Sequence, residues 1–271
     1  MNLAIFAAAK PHISLASETI FTVAGIPITN TILLGLVGYG IVLGLLFYVA
    51  FSVKHRRINK LVIGVQWIYE ILLDTIEQVI PDQKTARRLA PLVITMFFCI
   101  IINYWLGVLP FVGDSVTYHG TPLLRPLPSD MNVTFALAII SMIMAQIYAI
   151  RVHGVFGNIK RYLRNPLKDP TGAFEGILEF IAEFSRGTAL SLRLFGNVFA
   201  GEVLLLMVGY LSSYLAPLTL PAFMLFEIFM GAIQAYVFFM LTTVFVSLAV
   251  ASHGHDEKSS KTSTKEATAR L

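Results

Sequence analysis

Ser191-Leu192-Arg193-Leu194-Phe195-Gly196-Asn197 places an arginine inside a run otherwise apolar enough to be buried in lipid. Insertion scales put an arginine at mid-bilayer at roughly 2.5–3.5 kcal/mol, and the guanidinium cannot escape by losing its proton. A residue that expensive marks a site, unless it snorkels to a headgroup or is tied up by a neighbouring carboxylate. Its surroundings decide the fold class: an all-α polytopic membrane protein.

The whole chain agrees. Hydrophobic residues make up 56% and charged residues 13% of it, a balance at which a water-soluble chain of this length would aggregate. The net charge of +4 falls in short polar segments between apolar runs, where the positive-inside rule explains it as a topology signal, so nucleic acid is discounted as a partner. Cys99 is the single cysteine and lies within an apolar run, which excludes an internal disulfide and a thiol-based metal site.

Outward from Arg193, the same helix starts at Asp169-Pro170-Thr171 and meets no stop before about Tyr214. At 1.5 Å per residue it is roughly 65 Å long, about twice the hydrocarbon thickness, and must tilt or curve. Pro217 and Pro221 mark a turn, and Phe223 to Val250 returns, leaving a hydrophilic tail, 253–271, expected to be disordered in the cytoplasm. Upstream, Val133 to Ile150 crosses, capped by Ser129-Asp130 or Asn132. It ends at a basic stretch, Arg151-Val152-His153 followed by Lys160, Arg161, Arg164 and Lys168. Pro110–Asp130 reads as an irregular external loop, and Ala90 to Leu109 as a crossing with Tyr104 and Trp105 in an interface belt.

Between Leu61 and Ile80, Gln66, Glu70, Asp74 and Glu77 make one polar stripe. That helix stays near the cytoplasmic interface or packs its stripe against protein, and does not cross. Ile28 to Val53 is a crossing that stops at Lys54-His55-Arg56-Arg57, which puts its end in the cytoplasm and the N-terminus outside. The expectation is one membrane domain, 1–271, with an external segment 1–27 and a helical core 28–252. The core has five spanning helices plus one interfacial amphipathic helix and ends in a long tilted hairpin. The lack of an obvious transit peptide favours a bacterial inner membrane over an organelle.

The polar residues of the hairpin are the candidate site. Glu179, Arg186 and Arg193 are spaced by seven, with Glu183 and Asn197 one turn from members of that series. Glu202 lies roughly 13 Å beyond Arg193 along the helix. Glu227 and Gln234, again seven apart, share a face of the return helix. Carboxylates at graded depths are what a proton path needs, and a fixed cation between them acts as a barrier that favours the charged form of any carboxylate brought close. Glu183 and Arg186, at helical spacing, are expected to satisfy one another, whereas Glu202 and Glu227 have no basic partner within their own segments. The small residues Gly187, Ala189, Ser191, Gly196, Ala200 and Gly201 would let a visiting helix approach Arg193.

Ser-Leu-Arg-Leu-Phe-Gly-Asn at 191–197, Ala-Gly-Glu at 200–202 and Ile-Gln-Ala-Tyr-Val-Phe at 233–238 closely resemble subunit a of the F-type ATP synthases. Pro-Ser-Asp-Met-Asn-Val-Thr at 128–134 resembles that family's loop before its fourth helix, which adds Asp130 to the candidates. The resemblance, from about Ile28 to Ser252, implies a non-catalytic stator subunit with two offset half-channels facing a ring of c subunits. It implies Arg193 as the arginine separating them, Glu202, Glu227, Gln234 and Asn197 around the outer path, and Glu179 near the cytoplasmic exit. It also implies a b-subunit peripheral stalk and other ATP synthase subunits as partners, and no cofactor. Family members often carry a histidine at one of the positions of Glu202 and Glu227, where this chain has two glutamates, and a basic position matches Arg186.

Other readings compete. A secondary ion-coupled transporter also holds ionisable groups at depth, but no internal repeat with broken helices is visible. A sodium-translocating version of the same subunit differs mainly in its rotor. A membrane metalloprotease lacks a His-Glu-x-x-His motif, Gly35, Gly38 and Gly40 sit in a spanning segment rather than a nucleotide loop, and a purely structural anchor would tolerate loss of Arg193.

Overall fold

The computed structural model describes residues 14, 17–23, 26–56, 59–110, 112–118, 121–162, 170–212 and 215–251. Among them are six helices: α1 (Asn30–Lys54), α2 (Lys60–Val79), α3 (Gln83–Gly107), α4 (Met131–Tyr162), α5 (Pro170–Ser212) and α6 (Ala216–Ala251). All except α2 are long and apolar enough to cross a membrane. The expected tail 253–271, most of the segment 1–27 and the basic residues Arg164 and Lys168 lie outside the described residues.

Side-chain caps set where the helices begin. The Thr29 hydroxyl accepts from the Ile32 amide, and Asp130 accepts from the Asn132 amide at 2.9 Å, so Asp130 starts α4. Asp82 takes the amides of Lys84 and Thr85 and the Thr85 hydroxyl at 2.6 Å; that hydroxyl, followed by the amides, holds its carboxyl below the usual range. This cap moves the start of α3 back to Gln83 from the expected Ala90, with Pro91 accommodated inside the helix.

Two other boundaries also differ. α6 begins at Ala216, so Pro217 lies in its first turn, where a missing N–H leaves no intrahelical bond unmade, and Pro221 is carried inside the helix. α4 runs past Ile150 to Tyr162 and is broken at Gly154, whose φ of 74° and ψ of 165° suit only glycine without strain. The loop 110–130 is not irregular throughout. There β3 (Gly113–Tyr118) pairs antiparallel with β4 (Thr121–Leu124), and a separate hairpin before α1 pairs β1 (Thr19–Val23) with β2 (Ile26–Thr29). A single 3-10 turn, Leu127–Ser129, follows. β-Branched and aromatic residues here form local ladders that helix periodicity does not reveal.

Helices α3 to α6 pack around one core in which Phe238, Phe239, Leu190, Leu194 and Val246 are fully or almost fully buried. Both β-hairpins, the end of α5 and the start of α6 occupy one end of the bundle, the hairpin end; Lys54, Lys84, Arg87, Arg88 and Arg151 occupy the other, the basic end. Helix α2 is tied there at both termini: Asn59, just before it, donates to the Tyr48 hydroxyl at 2.8 Å, and its last residue, Val79, accepts from Ser247 of α6 at 2.9 Å. It therefore lies across that end. Its Val62, Leu72 and Ile76 are buried, largely against α3, while Glu70 and Asp74 are exposed and Gln66 and Glu77 half-buried, so the polar stripe runs along the edge of that contact. Only Glu77 of the stripe finds a charge, Arg87 at 2.9 Å.

Candidate ion-translocation site

Arg193 stands near the middle of the Thr171–Ser212 span, exposed on the outer face of α5. It makes no hydrogen bond or ion pair with any described residue. Its neighbours divide into two groups. Gly187 and Ser191 face inward: a β-carbon on Gly187 would overlap Met142 of α4, and the Ser191 hydroxyl donates to Thr134 at 3.2 Å. Those two small residues serve packing inside the chain, contrary to the expectation that they receive a visitor. Ala189, Gly196 and Ala200 are exposed, and with Arg193 they lie at spacings of four, three and four on one outward stripe. Around Gly196 there is open space.

Towards the hairpin end the two candidate glutamates are both engaged, by groups distant in sequence. Glu202 receives Arg125 Nε at 2.9 and 3.1 Å on its two oxygens, across a cleft between α5 and the segment after β4. The absence of a basic partner within its own helix is thus made good by the connection between α3 and α4. Glu227 of α6, 5% exposed, accepts from the Tyr104 hydroxyl of α3 at 2.9 Å and packs on Gly201 of α5, where any β-carbon would collide with its carboxylate. Tyr104 is accordingly a buried partner of the site and not a member of an interface belt; Trp105 beside it is exposed and donates to the Ile228 carbonyl. Asp130 is buried and holds Ser17 at 2.8 Å and Thr31 at 3.2 Å, a structural clamp on the N-terminal segment.

Between these levels Asn197 donates to Gln234 at 3.4 Å, joining α5 to α6 one turn from Arg193. Gln234 is 4% exposed, and its amide nitrogen has no acceptor among the described residues. A buried unmade donor costs about 1–3 kcal/mol, a penalty that packing alone does not justify. Gln234→Leu is therefore expected to leave the fold as stable as the parent or more so, by up to about 1 kcal/mol, while lowering coupled transport at least fivefold. Thermal unfolding in detergent beside vesicle assays checks both halves.

At the basic end, Glu183 hydrogen-bonds Gln146 of α4, which in turn accepts from Asn158 at 2.9 Å. Arg186 lies over the Phe245 ring at 5.8 Å instead of forming the expected ion pair with Glu183. Glu183, Arg186 and Phe245 share a small cleft with Met142, Ala145 and Ala249. Glu179 lies further toward that end, half-buried and with contacts of its own. Sequence reasoning missed Gln146 and Asn158, since a polar residue at the end of a crossing carries no periodic signal, and it missed the roles of Arg125 and Tyr104, which depend on pairings between distant segments. No group of three potential metal ligands occurs among the described residues.

Five spanning helices, with an arginine that has no partner among the described residues and paired carboxylates at successive levels, define a polytopic membrane protein that carries ionisable groups through its bundle. The chain belongs to the ATP synthase A chain family, whose family model matches residues 32–247. Similar proteins include the ATP synthase subunits a of Mycobacterium ulcerans, 30% identical over 82% of this chain and 87% of that one, and of Psychromonas ingrahamii, 30% identical over 79% and 84%. That of Acidothermus cellulolyticus is 27% identical over 83% and 78%. The chain is accordingly a multi-pass membrane component of an ATP synthase.

Proposed function

We propose that this chain is the proton-conducting stator subunit of its ATP synthase, forming two offset half-channels against a ring of c subunits. The observation that carries the reading is Arg193, exposed on a stripe of small residues and without a partner among the described residues. A cation facing outward at mid-span is stable only if something polar comes to meet it, and a carboxylate on a passing helix has the charge and the reach. The hairpin end is assigned to the outside by the cationic opposite end, as in the plasma membrane of a bacterium.

Protons enter past Glu202 and Glu227 and neutralise a ring carboxylate, which then turns into lipid. After nearly a full rotation that carboxylate meets the basic end, where Glu179 and the Glu183–Gln146–Asn158 chain lead to the cytoplasm. Arg193 prevents a direct passage between the paths, because it repels a travelling proton and never releases its own. Gln234 and Asn197 hold the local geometry. Each elementary charge crossing the field contributes roughly 2.3 kcal/mol per 100 mV, so several are needed per ATP. The chain itself is non-catalytic and is held to the catalytic head by a b-subunit stalk.

The test is proximity. With Cys99 replaced by serine, Gly196→Cys is expected to form disulfides with cysteines placed beside the ring carboxylate of c, since Gly196 has open space and lies on the Arg193 stripe. Gly187→Cys, facing α4, should not. Cross-linking at neither position in an assembled complex overturns the reading.

A further inference from the structure

We propose that Arg125 is a positioning residue at the outer mouth of the path, held by the N-terminal segment and setting the carboxylate of Glu202 for proton uptake; this rests on the function proposed above. Arg125 is 3% exposed although it lies in a connection between helices. Its Nε reaches both oxygens of Glu202, and its Nη2 donates to the Ser14 carbonyl at 2.8 Å. The guanidinium fork thus joins α5 to a strap that precedes the region matched by the family, 32–247.

The strap is fixed independently of Arg125. Asn30 donates to the Pro122 carbonyl at 3.2 Å, the Glu18 amide donates to Asn30 at 3.3 Å, and Ser17 and Thr31 both donate to Asp130. Ser14, Glu18, Asn30, Arg125, Phe199 and Glu202 line one small cleft at the hairpin end. Its charged and titratable groups are Glu18 from the strap, Arg125 from the connection and Glu202 from α5.

A proton arriving from that side meets this cleft before Glu227, which is enclosed by Tyr104 and Gly201. Arg125 occupies both oxygens of Glu202, so protonation must displace part of that contact. The guanidinium remains charged throughout, and once the proton has moved inward it draws the carboxylate back to one geometry. A planar fork supplies this recapture, and a point charge such as lysine supplies part of it. Glu18 places a second carboxylate in the cleft, borne on a segment outside the family match.

The experiment uses the intact ATP synthase in proteoliposomes at a fixed potassium–valinomycin potential, with the internal pH varied so that ATP synthesis is measured against proton concentration on the hairpin side. Arg125→Gln is expected to change the half-saturating proton concentration at least threefold, with assembly normal by immunoblot, and Arg125→Lys to restore more than half of that change. A lower maximal rate with unchanged half-saturation in Arg125→Gln would mean that Arg125 only braces the fold, and would overturn the assignment. If Arg125→Gln fails to assemble, Arg125→Lys and Glu18→Gln carry the test, and an unchanged half-saturation in both overturns it. Arg193→Ala in parallel separates the two readings: retained synthesis there refutes the proposed function, whereas its loss beside a normal Arg125→Gln profile refutes the role of Arg125 alone.

Discussion

Replacement of Arg193 by alanine is expected to abolish ATP synthesis and ATP-driven proton pumping, at least a hundredfold each, in membrane vesicles whose immunoblot shows normal assembly. The size of the effect follows from position. Arg193 is exposed and makes no hydrogen bond or ion pair with any described residue, so its removal takes away no bond among them. The fold should even gain slightly, since an exposed arginine at mid-span carries roughly 2.5–3.5 kcal/mol of insertion penalty. Loss of function with retained or improved stability is the signature of a residue kept for a partner. Increased passive proton leak in the same vesicles would locate the loss in the barrier, and normal coupled activity would refute the mechanism.

Glu202→Leu gives the opposite pattern, a large loss of stability. Leucine fills much of the volume but leaves Arg125 as a buried cation with its main counter-charge gone. Breaking one side of such a pair typically costs about 3–5 kcal/mol, most of it the penalty of the stranded charge. Double replacement, Arg125→Met with Glu202→Leu, should recover at least half of that, because an apolar pair of similar size is often as stable as the ion pair it replaces. Thermal unfolding of the detergent-solubilised complex reads the cycle. Destabilisation of the double variant by the sum of the two single effects would show that the two side chains are energetically independent. Synthesis is expected to fail in both, since the double variant restores packing without a titratable group.

Most of the fold was legible because lipid makes apolar length and basic clusters decisive: five crossings, their order and the long α5 follow from hydropathy and from Lys54 to Arg57 and Arg151 onward. What was not legible depends on pairing across the chain. Pro217 and Pro221 signal a break locally, yet a helix takes one in its first turn and carries the other. Tyr104 looks like an interface aromatic until α6 brings Glu227 to its hydroxyl. Gly187 and Ala189 have the same character in sequence, but a difference of two positions turns one towards α4 and the other outward. The arginine motif was readable as a costly anomaly; the partners of Glu202 and Glu183 were not, since Arg125 and Gln146 lie on other elements.

The Arg125–Glu202 pairing also orders events in time. The two residues are 77 positions apart, and at synthesis rates of about 5–20 residues per second the arginine leaves the ribosome roughly 4–15 s before its partner. Ser17, Thr31, Asn30, Pro122 and Asp130 are all made by then, so the strap can close on the connection while Arg125 still faces water, where an unpaired cation is cheap. The last contact at this end is supplied only when α5 has been threaded through the bilayer. A chain cut short before Glu202 therefore leaves the Arg125 guanidinium without its carboxylate, and the hairpin end of such a chain differs in charge from that of a finished one.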